Sequence, residues 1–122
     1  MEGKIWYHGS PFLFEVLEAG STVTPWRKLA EAFSHKPDIL CIEDDGEILH
    51  NGKREGFLYR IAEPLAVGKD VFPHPRSTME EKLEFLTERP LRVELIGKIP
   101  PPGEEFQKRF AGFFASHQKK NA

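Results

Sequence analysis

The segment Lys4-Ile5-Trp6-Tyr7-His8-Gly9-Ser10-Pro11 carries the clearest strand-and-turn signal of the chain. Its first part is rich in aromatic and β-branched residues, which favour strands, whereas Gly-Ser-Pro is a composition typical of turns. We therefore predict a strand over residues 4–8 that ends in a turn at residues 9–11. This arrangement places the imidazole of His8 at the end of the strand, directly beside a glycine.

The residues that follow predict a second strand and a helix. Residues 21–24 form a short β-prone run, and Thr24-Pro25 is a favourable helix start, with a hydroxyl N-cap followed by proline. Apolar residues then recur at the spacing of one helical face as far as His35, and Pro37 ends the pattern. That face consists of Trp26, Leu29, Ala30 and Phe33.

The middle of the chain predicts three strands joined by tight turns. The strands span residues 38–43, 47–50 and 57–62. Asp45-Gly46 suits the positive φ of a hairpin turn, and Asn51-Gly52 begins the second turn. We expect the three strands to pair in chain order as a meander.

The next stretch predicts a loop, a helix and a strand. Residues 63–76 contain three prolines and are assigned to a long loop. A capping box formed by Ser77 and Glu80 begins a helix that ends before Pro90, with Met79, Leu83 and Leu86 on its apolar face. Residues 91–96 alternate as a strand whose inward side chains are Leu91, Val93 and Leu95.

A closing helix is predicted over residues 104–118, after a stiff spacer of three prolines at residues 100–102. Glu104 and Glu105 suit the positive end of its dipole. We expect this amphipathic helix to be docked on the rest of the chain; the alternative is that its apolar face binds a partner. That face consists of Phe106, Phe110, Phe113 and Phe114.

Length and composition place the chain in the α+β class. With 122 residues, 39% of them apolar, residues 1–122 have the size and composition of one globular domain. We expect a bent, mixed or antiparallel sheet with about three helices. A net charge of −2 disfavours general nucleic-acid affinity. The lone Cys41, the lack of a long apolar stretch and the polar start predict a cytoplasmic protein with no membrane span.

Chemical motifs are scarce, and the sequence predicts no metal site. It has no P-loop, no dinucleotide glycine fingerprint and no His-Glu-x-x-His. What remains is His8-Gly9-Ser10, where a glycine leaves the backbone open to a planar carboxamide and Ser10 adds a hydroxyl at the same rim. The alternative is that His8 is a satisfied strand-end histidine followed by an ordinary turn.

The chain resembles the ADP-ribosyltransferases, and most of all the compact bacterial branch that includes the rifampin-modifying enzymes. The resemblance spans roughly residues 5–97, and Tyr7-His8-Gly9-Ser10 is its sharpest motif. It implies a split, bent pair of β-sheets around a cleft that binds NAD. The other matching segments, in order, are Gly20, Thr22-Val23-Thr24, Leu29 to Phe33, Gly56 to Tyr59 and Glu88 to Val93.

The same resemblance implies roles for individual residues. His8 would bind the adenosine ribose, Gly9 the nicotinamide carboxamide through its backbone, and Ser10 would support it. Thr22 and Thr24 lie on the strand where the family carries a stacking tyrosine, and they are the candidate NAD contacts there. Either Trp26 or Tyr59 could replace that ring, although core packing is the other interpretation of both.

Glu88 is the nearest match to the family's third position, a carboxylate that stabilises the positive charge on the sugar. The alternative for Glu88 is a surface carboxylate at a helix end.

Two functions follow from the resemblance. The first is transfer of ADP-ribose from NAD to a protein, a nucleic acid, a small molecule or water, with release of nicotinamide. The second is a catalytically inactive domain on the same fold that binds a nucleotide or a protein. A third branch, the RNA 2′-phosphotransferases, is disfavoured because no array of basic residues is present.

Overall fold

The computed structural model describes residues 4–75 and 83–121, with side chains described as far as residue 115. Strands paired in antiparallel fashion and two helices make up this part of the chain, which confirms the α+β class. The elements are β1 (Tyr7–Ser10), β2 (Val16–Leu17), β3 (Thr22–Val23), α1 (Arg27–Ser34), β4 (Leu40–Ile42), β5 (Ile48–His50), β6 (Gly56–Ile61), β7 (Val71–Pro73), β8 (Phe85–Thr87), β9 (Leu91–Ile99) and α2 (Glu104–Asn121).

The strands form a four-stranded sheet in the order β1-β6-β9-β2, a three-stranded sheet in the order β3-β8-β7, and the β4–β5 hairpin. A β-bridge between Tyr7 and Thr24 links β1 of the large sheet to the residue directly after β3 of the small sheet. A cluster of buried apolar side chains contains residues from both sheets, with the rings of Trp6 and Phe85 edge to face at 5.0 Å. Its members are Trp6, Leu17, Val23, Ile61, Val71, Phe85 and Leu91.

Helix α1 packs directly on the backbone of the large sheet. A Cβ atom at Gly9 would lie 1.8 Å from the carbonyl oxygen of Ala30, and one at Gly56 would lie 2.0 Å from Oγ of Ser34. Both sites therefore require glycine, because any side chain would force the helix away from the strands. The helix buries Leu29, Ala30, Ala32 and Ser34.

Three predictions about the first half of the chain are corrected. The first strand continues through Ser10, so His8 and Gly9 lie inside it and not at its end. Helix α1 begins at Arg27 without a side-chain cap, and the hydroxyl of Thr24 instead accepts a hydrogen bond from the N–H of Trp26 at 3.1 Å. The meander is wrong: β4 and β5 pair as predicted, but β6 lies between β1 and β9.

The second half departs further from prediction. Residues 85–87 form β8, which pairs with β3 and β7, so the predicted helix does not extend to Leu86; its start at Ser77 and Glu80 lies outside the described residues. The predicted loop contains β7. Strand β9 is present, but Leu95 is exposed, because the apolar cluster reaches along this strand only as far as Val93.

Helix α2 follows the proline spacer and contacts β5. Phe110 is buried, the ring of Phe106 lies 5.1 Å from that of His50, and Arg109 forms an ion pair with Glu47. In the described part of the chain, neither helix combines the length and the apolar character needed to cross a bilayer.

Candidate functional site

His8 lies where strand β1 separates from strand β3. Its Nδ1 lies 2.6 Å from the carbonyl oxygen of Thr22. Because a carbonyl only accepts hydrogen bonds, Nδ1 carries the proton in the neutral ring, and Nε2 is left with a lone pair. Among the described residues, Nε2 has no hydrogen-bond partner.

Burial lowers the pKa of His8 below its ordinary value, and the hydrogen bond to the Thr22 carbonyl opposes this effect in part. The ring is therefore neutral at pH 7. A neutral imidazole held in this tautomer presents an acceptor at Nε2, which suits a hydroxyl group of a ligand and not an anion.

The backbone N–H and C=O of Gly9 face the gap between β1 and β3, which we call the opening. Tyr7 exchanges two backbone hydrogen bonds with Thr24 across the bridge, while the carbonyl of Trp6 accepts from Ile61 on the opposite side. Because successive residues of a strand direct their backbone groups to alternate sides, those of Gly9 face β3, like those of Tyr7. Among the described residues no pairing joins β1 to β3 beyond the Tyr7–Thr24 bridge, so the N–H and C=O of Gly9 face the opening.

The structure also corrects the reason for a glycine at this position. The sequence suggested that a missing side chain gives a ligand access to the backbone. The side-chain direction of Gly9 instead points at α1, where Ala30 fills the space. The glycine is required by helix packing, and the open backbone groups follow from the separation of the two strands.

Ser10 is buried and shapes the chain beyond the strand. Its Oγ accepts a hydrogen bond from the N–H of Phe12 at 3.1 Å. The hydroxyl of Tyr59 fixes the next residues, since it donates to the carbonyl of Phe12 at 2.8 Å and accepts from the N–H of Phe14 at 3.1 Å. The loop over residues 11–14 is thus anchored at both ends beside His8.

Two cavities adjoin His8 and share it with Ser10 and Ser21; we call them together the His8 cleft. The first has a volume of about 290 Å³ and is lined further by Phe14, Val16, Leu17 and Glu18. The second has a volume of about 310 Å³ and is lined further by Gly9, Pro11, Phe12, Thr22, Phe33, Lys36 and Glu84. Each volume is at the lower end of the range for ligand pockets.

The remaining predicted contacts are only partly brought together. Thr22 lines the second cavity and holds His8 through its carbonyl. Thr24 is fully buried and does not line either cavity. Tyr59 is buried behind the loop and Trp26 lies at the start of α1, so neither ring is part of the cleft lining.

Glu88 lies away from the cleft. It is exposed just after β8, its backbone N–H donates to the carbonyl of Asp70, and it lines neither cavity. Among the described residues, Glu84, just before β8, is the carboxylate that lines the second cavity, and Glu18 lines the first. Sequence reasoning missed Glu84 because it assigned this stretch to a helix, and only the pairing of Phe85 with Val23 reveals its position.

Phe14 was also missed. Its ring lies 5.8 Å from that of His8 and stacks on Tyr59 at 4.5 Å, and it lines the first cavity. The irregular apolar run over residues 12–17 gave no periodic signal that would have placed this ring.

A larger cavity of about 730 Å³ lies between α1, the β4–β5 hairpin and the start of α2. Its lining includes His35 and His50, whose rings stack at 5.5 Å and are both buried. Burial, aided by the nearby His35, lowers the pKa of His50 to about 4. Among the described residues one group of carboxylates could hold a cation, Glu43, Asp45 and Glu47, but Glu47 already pairs with Arg109.

Comparison with known proteins found no family model, no curated protein and no solved structure that matches this chain.

Proposed function

We propose that the chain binds NAD in the His8 cleft and transfers its ADP-ribose group, with release of nicotinamide. The observation that carries this proposal is the neutral His8 acceptor beside the open N–H and C=O of Gly9. A carboxamide offers one acceptor and one donor group, which one backbone N–H and one backbone C=O can bind together. The likeness of Tyr7-His8-Gly9-Ser10 to ADP-ribosyltransferases supports the same assignment.

In this proposal the two ends of NAD occupy the two cavities. The nicotinamide carboxamide binds the backbone of Gly9, and Nε2 of His8 accepts a hydrogen bond from a hydroxyl of the adenosine ribose. Phe14, which lines the other cavity, offers an aromatic surface to the adenine. Ser10 supports the site by holding the loop that follows.

Glu84 is the proposed catalytic carboxylate in place of Glu88. Cleavage breaks the bond between ribose C1′ and the nicotinamide nitrogen, and the electron pair leaves with nicotinamide. Positive charge develops on the ribose, and a carboxylate in the same cavity stabilises it more in the transition state than in the ground state. The acceptor, whether a protein, a nucleic acid, a small molecule or water, then bonds to C1′ and loses its proton.

One observation favours the second function, binding without catalysis. Strand β3 carries Thr22 and Val23 where the family has its stacking tyrosine, and neither Trp26 nor Tyr59 lines the cleft. A domain of this kind would bind a nucleotide and release no nicotinamide.

The test compares two glutamates at the two ends of one strand. Nicotinamide released from NAD is measured for the wild type, Glu84→Gln and Glu88→Gln. We expect Glu84→Gln to lower the rate by about 100-fold or more, as for other preorganised charges, and Glu88→Gln to keep the wild-type rate. The reverse result would show that Glu88, and not Glu84, is the catalytic carboxylate. A wild type that binds NAD and releases no nicotinamide would favour the binding function.

A further inference from the structure

Lys36 has an unusual backbone conformation for its residue type. Its φ is 52°, and it is the one non-glycine residue with positive φ in the described part of the chain. Its N–H donates to the carbonyl of Phe33 at 3.0 Å, so it closes the last turn of α1. Glycine is the usual residue in this left-handed position because a Cβ atom is disfavoured there. Non-glycine residues in strained backbone conformations cluster at active sites and ligand-binding sites.

The side chain of Lys36 lies at the His8 cleft. It lines the second cavity, where Glu84 is the other charged residue among the described residues of the lining. Within the described residues Lys36 belongs to no ion pair, and it is exposed.

A second cation stands at the same side of the cleft. The guanidinium of Arg54 lies 5.2 Å from the ring centre of Phe12, which lines this cavity. Among the described residues, the lining of the first cavity contains the carboxylate of Glu18 and no lysine or arginine. In this part of the chain, Lys36 and Arg54 therefore lie on the same side of His8.

We propose that Lys36 binds a phosphate group of the ligand and makes the His8 cleft selective for phosphorylated nucleosides. This inference rests on the proposed function, since it assigns the diphosphate of NAD to the Lys36 side of the cleft. The other contacts proposed for the ligand, His8 and the backbone of Gly9, are neutral groups that a nucleoside without phosphate also satisfies. The ammonium group of Lys36 has three N–H donors that can bind phosphate oxygens, and a nucleoside without phosphate cannot form this contact.

The test measures binding by calorimetry for the wild type, Lys36→Gln, Lys36→Gly and the control Lys28→Gln. Lys28, on α1, is likewise an exposed lysine, but it lines the larger cavity. The probes are NAD, ADP-ribose, inorganic pyrophosphate and adenosine. Both Lys36 variants should bind the three phosphorylated probes about tenfold more weakly and adenosine unchanged. Lys36→Gly should also raise the melting temperature, because glycine adopts this φ without strain.

The outcomes separate this inference from the function on which it rests. If Lys36→Gln binds NAD as tightly as the wild type does, the phosphate role of Lys36 is wrong and NAD binding stands. If the wild type binds pyrophosphate through Lys36 but does not bind NAD, the phosphate site stands and the proposed function fails. A wild type that binds none of the phosphorylated probes overturns both.

Discussion

Two regions beside helix α1 contain histidines, and the surroundings of these histidines differ. His8, His35 and His50 each use Nδ1 to bind a backbone group. In the larger cavity, the rings of His35 and His50 stack on each other, and nearby carboxylates are engaged, Glu31 by Arg27 and Glu47 by Arg109.

The cavity that His8 shares with Gly9 differs: its lining includes the open backbone groups of Gly9 and the ammonium of Lys36. The comparison teaches that burial and a lowered pKa do not mark a ligand site by themselves. What distinguishes the two regions is the set of groups around each ring. His35 and His50 pack on each other, whereas His8 shares a cavity with groups that a ligand can bind, the backbone of Gly9 and the side chain of Lys36.

The largest loss of stability is expected for a substitution at Gly9, which packs against α1 and also lines the His8 cleft. Gly9→Ala should lower the free energy of unfolding by on the order of 3 kcal/mol or more, because the new Cβ would collide with the carbonyl of Ala30. Gly97→Ala is the matched control, since a Cβ there meets nothing within 4 Å. Urea unfolding of both variants makes the comparison. Equal stability of the two variants would mean that α1 does not lie against β1 as described.

Local patterns predicted much of this fold. The spacing of Leu29 and Ala30 identified α1, the alternation from Leu91 identified β9, and the turn at Asp45-Gly46 identified the β4–β5 hairpin. Each of these signals arises within a few residues, so a single sequence contains it.

Pairing between distant segments was not predictable in the same way. Residues 57–62 show the alternation of a strand, but nothing local indicates that β1 and β9 flank it. At Leu86 the spacing suits a helix, and partners on β3 and β7 override it. The candidate site shares this limit: His8 was found from its motif, whereas Glu84, Phe14 and Lys36 join it only through tertiary structure.

A smaller effect on stability is expected from His50, which lines the larger cavity and stacks on His35. Its pKa of about 4 in the folded state lies below the ordinary value of 6.5. The unfolded chain therefore binds the proton first as the pH falls, so stability is complete above about pH 6.5 and declines towards pH 4. The loss from this residue is on the order of 3 kcal/mol at pH 4.

His50→Asn is the matched variant, because an amide oxygen can still accept the hydrogen bond that Gly52 donates to Nδ1. It does not titrate, so its stability should fall less steeply between pH 6.5 and pH 4. Denaturant unfolding at a series of pH values measures the slope. Identical slopes for the wild type and His50→Asn would show that the stacked pair does not contribute to acid sensitivity.

The most direct test of the central claim is the effect of NAD on thermal unfolding. Ligand at 100 times its dissociation constant stabilises the folded state by about 2.7 kcal/mol, which raises the melting temperature of a domain of this size by several degrees. The account predicts that shift for the wild type and for His50→Asn, and its loss in His8→Ala. No shift for the wild type at millimolar NAD or ADP-ribose, or an equal shift for His8→Ala, would contradict the assignment of the His8 cleft as the NAD site.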